Sequence, residues 1–527
     1  MSGLGTTTRK AFDPAAARRT VVQALSDARR EHGAGTIALV DGDDRSFSYD
    51  DIFLASFALG SSLKRGTRAG ECVGVMLPTG AAATLTFFAL SAYGRIPTML
   101  NFTSGLASLR SALATAKVKR VVTARRLVEV AGLQALVDNL GAEIVYLEDV
   151  RKSLSLANKL TGAAGKIAPD WLAAKPDPSQ PAVILFTSGT EGEPKGVALS
   201  HENILANIAQ ARAHFDFYSS DVLLNPLPVF HCFGLTVGTL LPLMIGVKTV
   251  CHPTPRQPKE IVRRIRHHGA TILISTDTFI NQYGRASDEG DLDSLRMAVC
   301  GAERLRDETR AFLRRKASFL LLEGYGVTEA APVVAANQPE ANHPGTVGRM
   351  LAGMEARLEP VEGISGAGQL HLRGPNIMLG YIKPEAPGKI VPPENGWYNT
   401  GDIVSIDEEG FIRIRGRLKR FAKIGGEAIS LAVVENIATA LWPDNAHAAV
   451  AIPDDRKGEQ IVLVTDAPEA RRVDMVGWAQ NHGVTELALP RQVILVDSIP
   501  VLATGKTDYV SVQKLAEIGE ERRAGGA

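Results

Sequence analysis

The feature that most narrows what this chain can fold into is a join. The apolar run Ala182-Val183-Ile184-Leu185-Phe186 passes directly into the polar stretch Thr187-Ser188-Gly189-Thr190-Glu191-Gly192-Glu193-Pro194-Lys195-Gly196. The first reads as a strand, the second as a glycine-broken loop at its end. Glycine lets backbone N–H groups approach an anion, hydroxyls donate to phosphate oxygens, and lysine neutralises charge. A strand that ends in such a loop points to nucleotide chemistry. It is not the ordinary P-loop, because Lys195 lies between Pro194 and Gly196. The Gly505-Lys506-Thr507 triplet has Pro500 where the first P-loop glycine belongs.

Short β-branched runs alternate with alanine- and leucine-rich helical stretches along most of the chain, at 36–40, 73–77, 121–123, 144–147, 182–186 and 272–274. That alternation predicts an α/β fold with mostly parallel sheets covered by helices. From about Gly345 the texture changes to hairpins, with the turn Asp407-Glu408-Glu409-Gly410 between two apolar runs, which predicts a small β subdomain. Beyond the basic connector at 416–417 the runs 449–452, 461–464 and 493–496 predict a small, mobile α+β unit. The expected division is therefore 1–417 for the large domain and 418–527 for the small one.

With 58 Lys and Arg against 57 Asp and Glu, the net charge of +1 provides no field for nucleic acid. Cys72, Cys232, Cys251 and Cys300 have neither disulfide nor metal spacing, and the first thirty residues hold no continuous apolar core of a signal. A cytoplasmic protein is expected, with peripheral contact at the inner membrane face left open. Residues 222–247 contain no Asp, Glu, Lys or Arg, but Pro226, Pro228, Pro242, Asn225 and His231 would break a spanning helix. A buried strand, loop and helix is the better reading.

Four further clusters accompany the loop. Glu323-Gly324-Tyr325-Gly326-Val327-Thr328-Glu329 offers a planar ring flanked by glycines, then a hydroxyl and a carboxylate suited to phosphate and Mg²⁺. Gly396-Trp397-Tyr398-Asn399-Thr400-Gly401-Asp402 ends in a carboxylate that suits ribose hydroxyls. Five basic residues crowd between Arg415 and Lys423, and Lys506 sits on a glycine hinge near the C-terminus.

In this order and at these separations, the five clusters resemble the adenylate-forming enzymes: acyl-CoA synthetases, peptide-synthetase adenylation domains and luciferase. The resemblance implies ATP and Mg²⁺. Thr187, Ser188, Gly189, Thr190, Gly192 and Lys195 would hold phosphates, with Thr187 and Glu329 at the metal. Gly301, Ala302, Glu303, Gly324 and Gly326 would bind the nucleotide, Tyr325 would stack on adenine, Thr328 would meet phosphate, and Asp402 and Arg417 would bind ribose. Lys419 would mark the hinge, Lys423 and Gly426 would serve the second half-reaction, and Lys506 would bridge carboxylate and α-phosphate. Phe230, His231, Phe233 and Gly234 resemble the segment that lines the acyl pocket. The absence of any acid between 222 and 247 suits a fatty acid better than an amino acid, whose ammonium group needs a counter-charge.

The runs 97–105, 322–334, 344–349, 374–381 and 416–427 are similar to the synthetase half of bacterial bifunctional acyl-acyl carrier protein synthetase and 2-acylglycerophosphoethanolamine acyltransferase. This implies a long-chain fatty acid and, as acceptor, the phosphopantetheine thiol of acyl carrier protein. CoA remains the alternative acceptor, and an inactive acyl- or nucleotide-binding member of the fold a further one. None of the eleven histidines has aspartate five residues on, so a separate acyltransferase is expected downstream. Lys259, Arg263, Arg264 and Arg266 read as a solvated helix face or as a surface for an acidic carrier protein.

Overall fold

The computed structural model describes residues 10–188, 194–362, 364–424, 427–454, 458–482, 484–501 and 507–524. Two compact units emerge: Met1–Glu355 with Arg373–Tyr398, and Ala356–Leu372 with Asn399–Ala527. The division expected after Arg417 falls inside the second unit.

Among the described residues, the first unit holds two large sheets. One has nine strands in the order Arg349–Met350, Val333–Ala336, Leu320–Gly326, Met297–Cys300, Ile272–Ser275, Val222–Asn225, Lys248–Cys251, Ile37–Val40, Ser46–Ser48. Its six strands from Leu320–Gly326 to Ile37–Val40 run parallel. The other has eight: Ile390–Val391, Gly380–Ile382, Pro194–Ser200, Pro181–Ser188, Ile96–Met99, Cys72–Val75, Arg120–Thr123, Glu143–Tyr146. Here the five from Pro181–Ser188 onward are parallel. The mostly parallel, helix-covered architecture predicted by the alternation is what the chain forms.

The second unit carries the sheet Glu355–Val361, Ile364–Arg373, Tyr398–Ile406, Ile412–Arg417, which includes the predicted hairpin. It also carries a sheet of Glu427–Ser430, Phe421–Ile424, Gly458–Thr465, His447–Asp454 and Gln492–Leu495. The helix Leu431–Leu441 packs against this second sheet through Leu431, Val434, Ile437 and Ala438.

The uncharged stretch 222–247 folds as strand, loop and helix. Val222–Asn225 is buried throughout, and Phe233–Leu240 winds as a wide π-type turn. The Asn225 side-chain amide and the Thr239 hydroxyl both donate to the Gly234 carbonyl, at 3.0 Å each, satisfying a group that the wide turn frees. Among the described residues, no helix is long and apolar enough to cross a membrane.

One expectation is overturned. In the helix Pro258–His268, Arg264 is fully buried rather than solvated. Its guanidinium donates to the Gly42 and Asp41 carbonyls at 3.2 and 2.7 Å and to Asp44 at 2.7 Å. A buried cation needs its charge met by polar partners, and two carbonyls plus a carboxylate meet the two terminal nitrogens of this guanidinium. Arg264 is thus a structural tie, and the basic run is no uniform docking face.

Candidate active site

The strand Pro181–Ser188 returns as Pro194–Ser200, and the register sets Thr187 opposite Lys195. Ser188 closes the first strand. Gly189, Thr190, Gly192, Gly426 and Lys506 lie outside the described residues. A third strand, Gly380–Ile382, pairs with the return strand and sets Tyr381 opposite Val197. Next to it, the Met378 N–H donates to the Glu329 carbonyl at 2.8 Å and the Leu379 N–H to the Ala198 carbonyl at 2.9 Å.

This stitching inserts Tyr381 between two predicted site residues. Its hydroxyl donates to Glu329 Oε1 at 2.5 Å, and Lys195 Nζ stands 5.9 Å from its ring centroid. The second distance is at the outer edge of a cation–π contact. Glu329 is buried on the short turn Thr328–Ala330, which begins at Thr328. Asn376 donates to the Ala330 carbonyl at 2.7 Å and fixes that turn. Burial, reinforced by the Glu329 charge, holds the Tyr398 phenol far above its ordinary pKa, so it stays protonated. The sequence reading assigned Tyr381 no role. Its signal was its place at the end of the run 374–381, but only pairing with the Lys195 strand connects it to Glu329.

Gly324, Tyr325 and Gly326 belong to the strand Leu320–Gly326 itself rather than to a loop beyond it. Tyr325 is half-buried there. Behind it, Glu323 accepts from Arg310 at 2.5 Å and from the Gly345 N–H at 3.0 Å, while Arg310 also donates to the Leu321 carbonyl. Burial pushes the Glu323 carboxyl above its ordinary range, opposed by the Gly345 N–H and Arg310.

An apolar cavity opens beside this strand. Phe233, Gly301, Ala302, Gly324, Tyr325 and Gly326 line it, so predicted nucleotide and acyl residues share one wall. Phe215, Phe217, Ile274, Met297 and Val333 line it too and were not anticipated. A side chain at Gly301 would meet the Phe233 ring at 3.4 Å, and Ala302 adopts φ of +68°. The interior open to water is about 90 Å³, against the roughly 300–1,000 Å³ of a drug-sized pocket, so a large occupant requires its lining to move.

Other predicted residues are engaged elsewhere. The Glu303 carboxylate accepts from the Thr278 N–H and hydroxyl at 3.0 and 2.9 Å. Gly234 lies where a side chain would strike the Pro228 carbonyl at 2.3 Å, which makes it a packing glycine. His231 stacks edgewise on Phe230, ring centroids 4.8 Å apart, and Phe230 meets Phe102 likewise at 5.2 Å. In the second unit Asp402 and Arg417 face each other across the hairpin and are paired at 3.0 Å. Lys419 lies in the turn Leu418–Arg420, and the Lys423 N–H donates to Glu459. Arg420, from the same basic run, is tied to Glu435 and lies over the Tyr509 ring.

The Glu329 carboxylate, anchored at one oxygen by a hydroxyl, is a hard oxygen donor of the kind that suits Mg²⁺. Asp44, His267 and His268 also bring ligand atoms within 4.8 Å of one another, but Arg264 and Arg263 already neutralise Asp44.

A family described as AMP-binding enzyme matches residues 25–382. A long-chain-fatty-acid–CoA ligase of Escherichia coli O157:H7 is 30% identical over 342 residues, 62% of this chain. The match spans 60% of that relative's length, as it does for the corresponding ligase of Salmonella typhimurium at 29% identity. A Mycobacterium tuberculosis 3-[(3aS,4S,7aS)-7a-methyl-1,5-dioxo-octahydro-1H-inden-4-yl]propanoyl:CoA ligase is 32% identical over 68% of this chain and 70% of its own. Among solved structures, ATP-bound MatB from Rhodopseudomonas palustris superposes with a TM-score of 0.80 at 23% identity, covering 94% of this chain and 98% of the other. That likeness is one of fold.

Proposed function

The chain belongs to the AMP-binding enzyme family, within the adenylate-forming superfamily, and on that premise we propose that it activates a long-chain fatty acid with ATP. The observation that supports this reading is Tyr381, which holds Glu329 by its hydroxyl and has Lys195 5.9 Å from its ring centroid. A carboxylate oxygen of the acid attacks the α-phosphorus of ATP. The bond from that phosphorus to the bridging oxygen breaks, and pyrophosphate leaves. Both partners are anions, so catalysis consists of neutralising charge that builds in the transition state.

Lys195 meets the departing phosphates, Thr187 and Thr328 donate to them, and Glu329 would hold Mg²⁺. The metal's part is to neutralise phosphate charge. Tyr325 lies against adenine, Asp402 and Arg417 part to receive the ribose, and Lys506 bridges the carboxylate and the α-phosphate. In the second half-reaction a thiol attacks the acyl carbonyl and AMP departs, with Lys423 and Gly426 serving that step and Lys419 the hinge.

The acceptor we propose is the phosphopantetheine thiol of acyl carrier protein, supported by the motif likeness over the runs 374–381 and 416–427, with a separate acyltransferase consuming the product. CoA is the second reading, favoured by relatives whose names are CoA ligases. The protein would act in the cytoplasm, against the membrane that supplies its acid. The test offers ATP, Mg²⁺ and palmitate with holo acyl carrier protein and CoA in parallel. Faster thioesterification of the carrier supports the first acceptor, and faster reaction with CoA replaces it. No acyl-adenylate in either arm overturns the whole reading.

A further inference from the structure

The helix Leu156–Ile167 and the short helix Pro169–Leu172 after it are turned the opposite way from a helix that only completes a core. Leu156, Leu160 and Ile167 fall on one face by helical spacing, and that face points outward. They are 73, 61 and 79% exposed, and Trp171 is 90% exposed. The face toward the protein is made of small and polar residues. At Gly165 a side chain would strike the Phe57 ring at 2.2 Å, at Gly162 it would strike the Leu54 carbonyl at 2.7 Å, and Asn158 donates to Ser61 at 2.7 Å. The close packing on the helix Tyr49–Leu63 therefore leaves no room to rotate the leucines inward.

Charge along this segment is predominantly positive. Residues 151–175 hold Arg151, Lys152, Lys159, Lys166 and Lys175 against Asp170 alone. Asp170 is occupied by Arg30 at 2.7 Å and by Ser26. Lys166 reaches Asp50 at 3.2 Å, and Arg151, Lys152, Lys159 and Lys175 are exposed. A second copy docked on this face by a two-fold would set like charges together. A surface of negative charge over an apolar interior is complementary to both components. Aliphatic residues on one face, lysines beside them and a tryptophan at the end are the composition of a helix that lies in a membrane interface.

We infer that Leu156, Leu160, Ile167 and Trp171, with the exposed Lys152, Lys159 and Lys175 of the same segment, form the surface by which this protein docks on an anionic lipid bilayer. The apolar side chains enter the acyl boundary while the lysines meet headgroup phosphates. The inference names the membrane partner of the functional reading but does not depend on which acid is activated. Vesicle binding is read without turnover, so its failure and that of the catalytic reading are separable.

The test is flotation of the full chain with phosphatidylglycerol–phosphatidylcholine vesicles and with pure phosphatidylcholine vesicles. Binding is expected to the first and not to the second, and to weaken with salt. The triple variant Leu160→Gln/Ile167→Gln/Trp171→Ser should lose about tenfold or more of that binding, as should Lys152→Glu/Lys159→Glu. Both should melt as the wild type does and adenylate a soluble short acid at its rate. Wild-type binding by the triple variant would overturn the proposal. So would absence of vesicle binding in the wild type together with a dimer that the triple variant dissociates, which would assign the face to a second copy.

Discussion

Two arginine–carboxylate pairs of the same chemistry stand in opposite surroundings. Arg310 and Glu323 are both buried, meet at 2.5 Å, and lie behind the strand that carries Gly324, Tyr325 and Gly326. Asp402 and Arg417 meet at 3.0 Å on a hairpin of the second unit, with the arginine side chain 65% exposed. A buried pair cannot open without stranding a charge, so it acts as scaffold. A pair whose arginine lies in water while its aspartate is buried can exchange the arginine more readily than a pair buried on both sides. The first unit therefore contributes prebuilt geometry, and the second contributes groups that can change partners.

Removing one arginine from each pair tests this directly. Arg310→Ala should destabilise by about 3–5 kcal/mol in denaturant titration, because Glu323 is left buried without its counter-ion. Arg417→Ala should cost less, about 1–3 kcal/mol, because Asp402 is buried but its arginine partner already lies in water, and its loss should also be read in ATP affinity. Equal stability effects would erase the distinction.

Lys506→Ala asks whether the chemistry comes from outside the prebuilt part. Acyl-adenylate formation should fall by about a hundredfold or more, roughly 3 kcal/mol, with ATP binding near wild type. An undiminished single-turnover rate would remove Lys506 from the mechanism.

Acid sharpens the same contrast through His201. Burial holds its imidazole down at about 4, and Nδ1 accepts from the Val21 N–H. An exposed histidine in the unfolded chain takes its proton near pH 6.5, so between these values the unfolded state binds more protons. First-unit stability should therefore fall as pH drops from about 6.5 to 4, by at most about 3 kcal/mol from this group. Thermal melts of His201→Gln should show a shallower slope across that window.

The smallest effect is expected at Tyr381. Without its hydroxyl Glu329 loses its anchor, so Tyr381→Phe should lower Mg²⁺-dependent adenylation about tenfold, roughly 1.5 kcal/mol. A Mg²⁺ titration should show the loss as weaker apparent metal affinity with unchanged melting.

Much of the architecture was legible because its signal is local. The strands 182–186, 272–274 and 461–464 are marked by β-branched residues, the hairpin by Asp407 and Gly410, and the break in 222–247 by its prolines. The Arg264 misreading has the opposite cause. An arginine on an amphipathic helix looks solvated until a distant loop brings the Gly42 and Asp41 carbonyls to it, and residue spacing carries no trace of that approach. Leu156–Ile167 is the mirror case. Its periodicity marks an amphipathic helix but not which face turns inward, and that was decided by how closely Gly162 and Gly165 approach the neighbouring helix.

The sequence by itself determined the family and the α/β alternation, because these rest on residue types at short separations. Only the tertiary structure decided that Tyr381 bridges Lys195 and Glu329, that Phe233 shares a cavity wall with Tyr325, and that Glu303 is committed to Thr278. Each joins segments distant in the chain, and their meeting is set by strand register and packing, which no local pattern encodes.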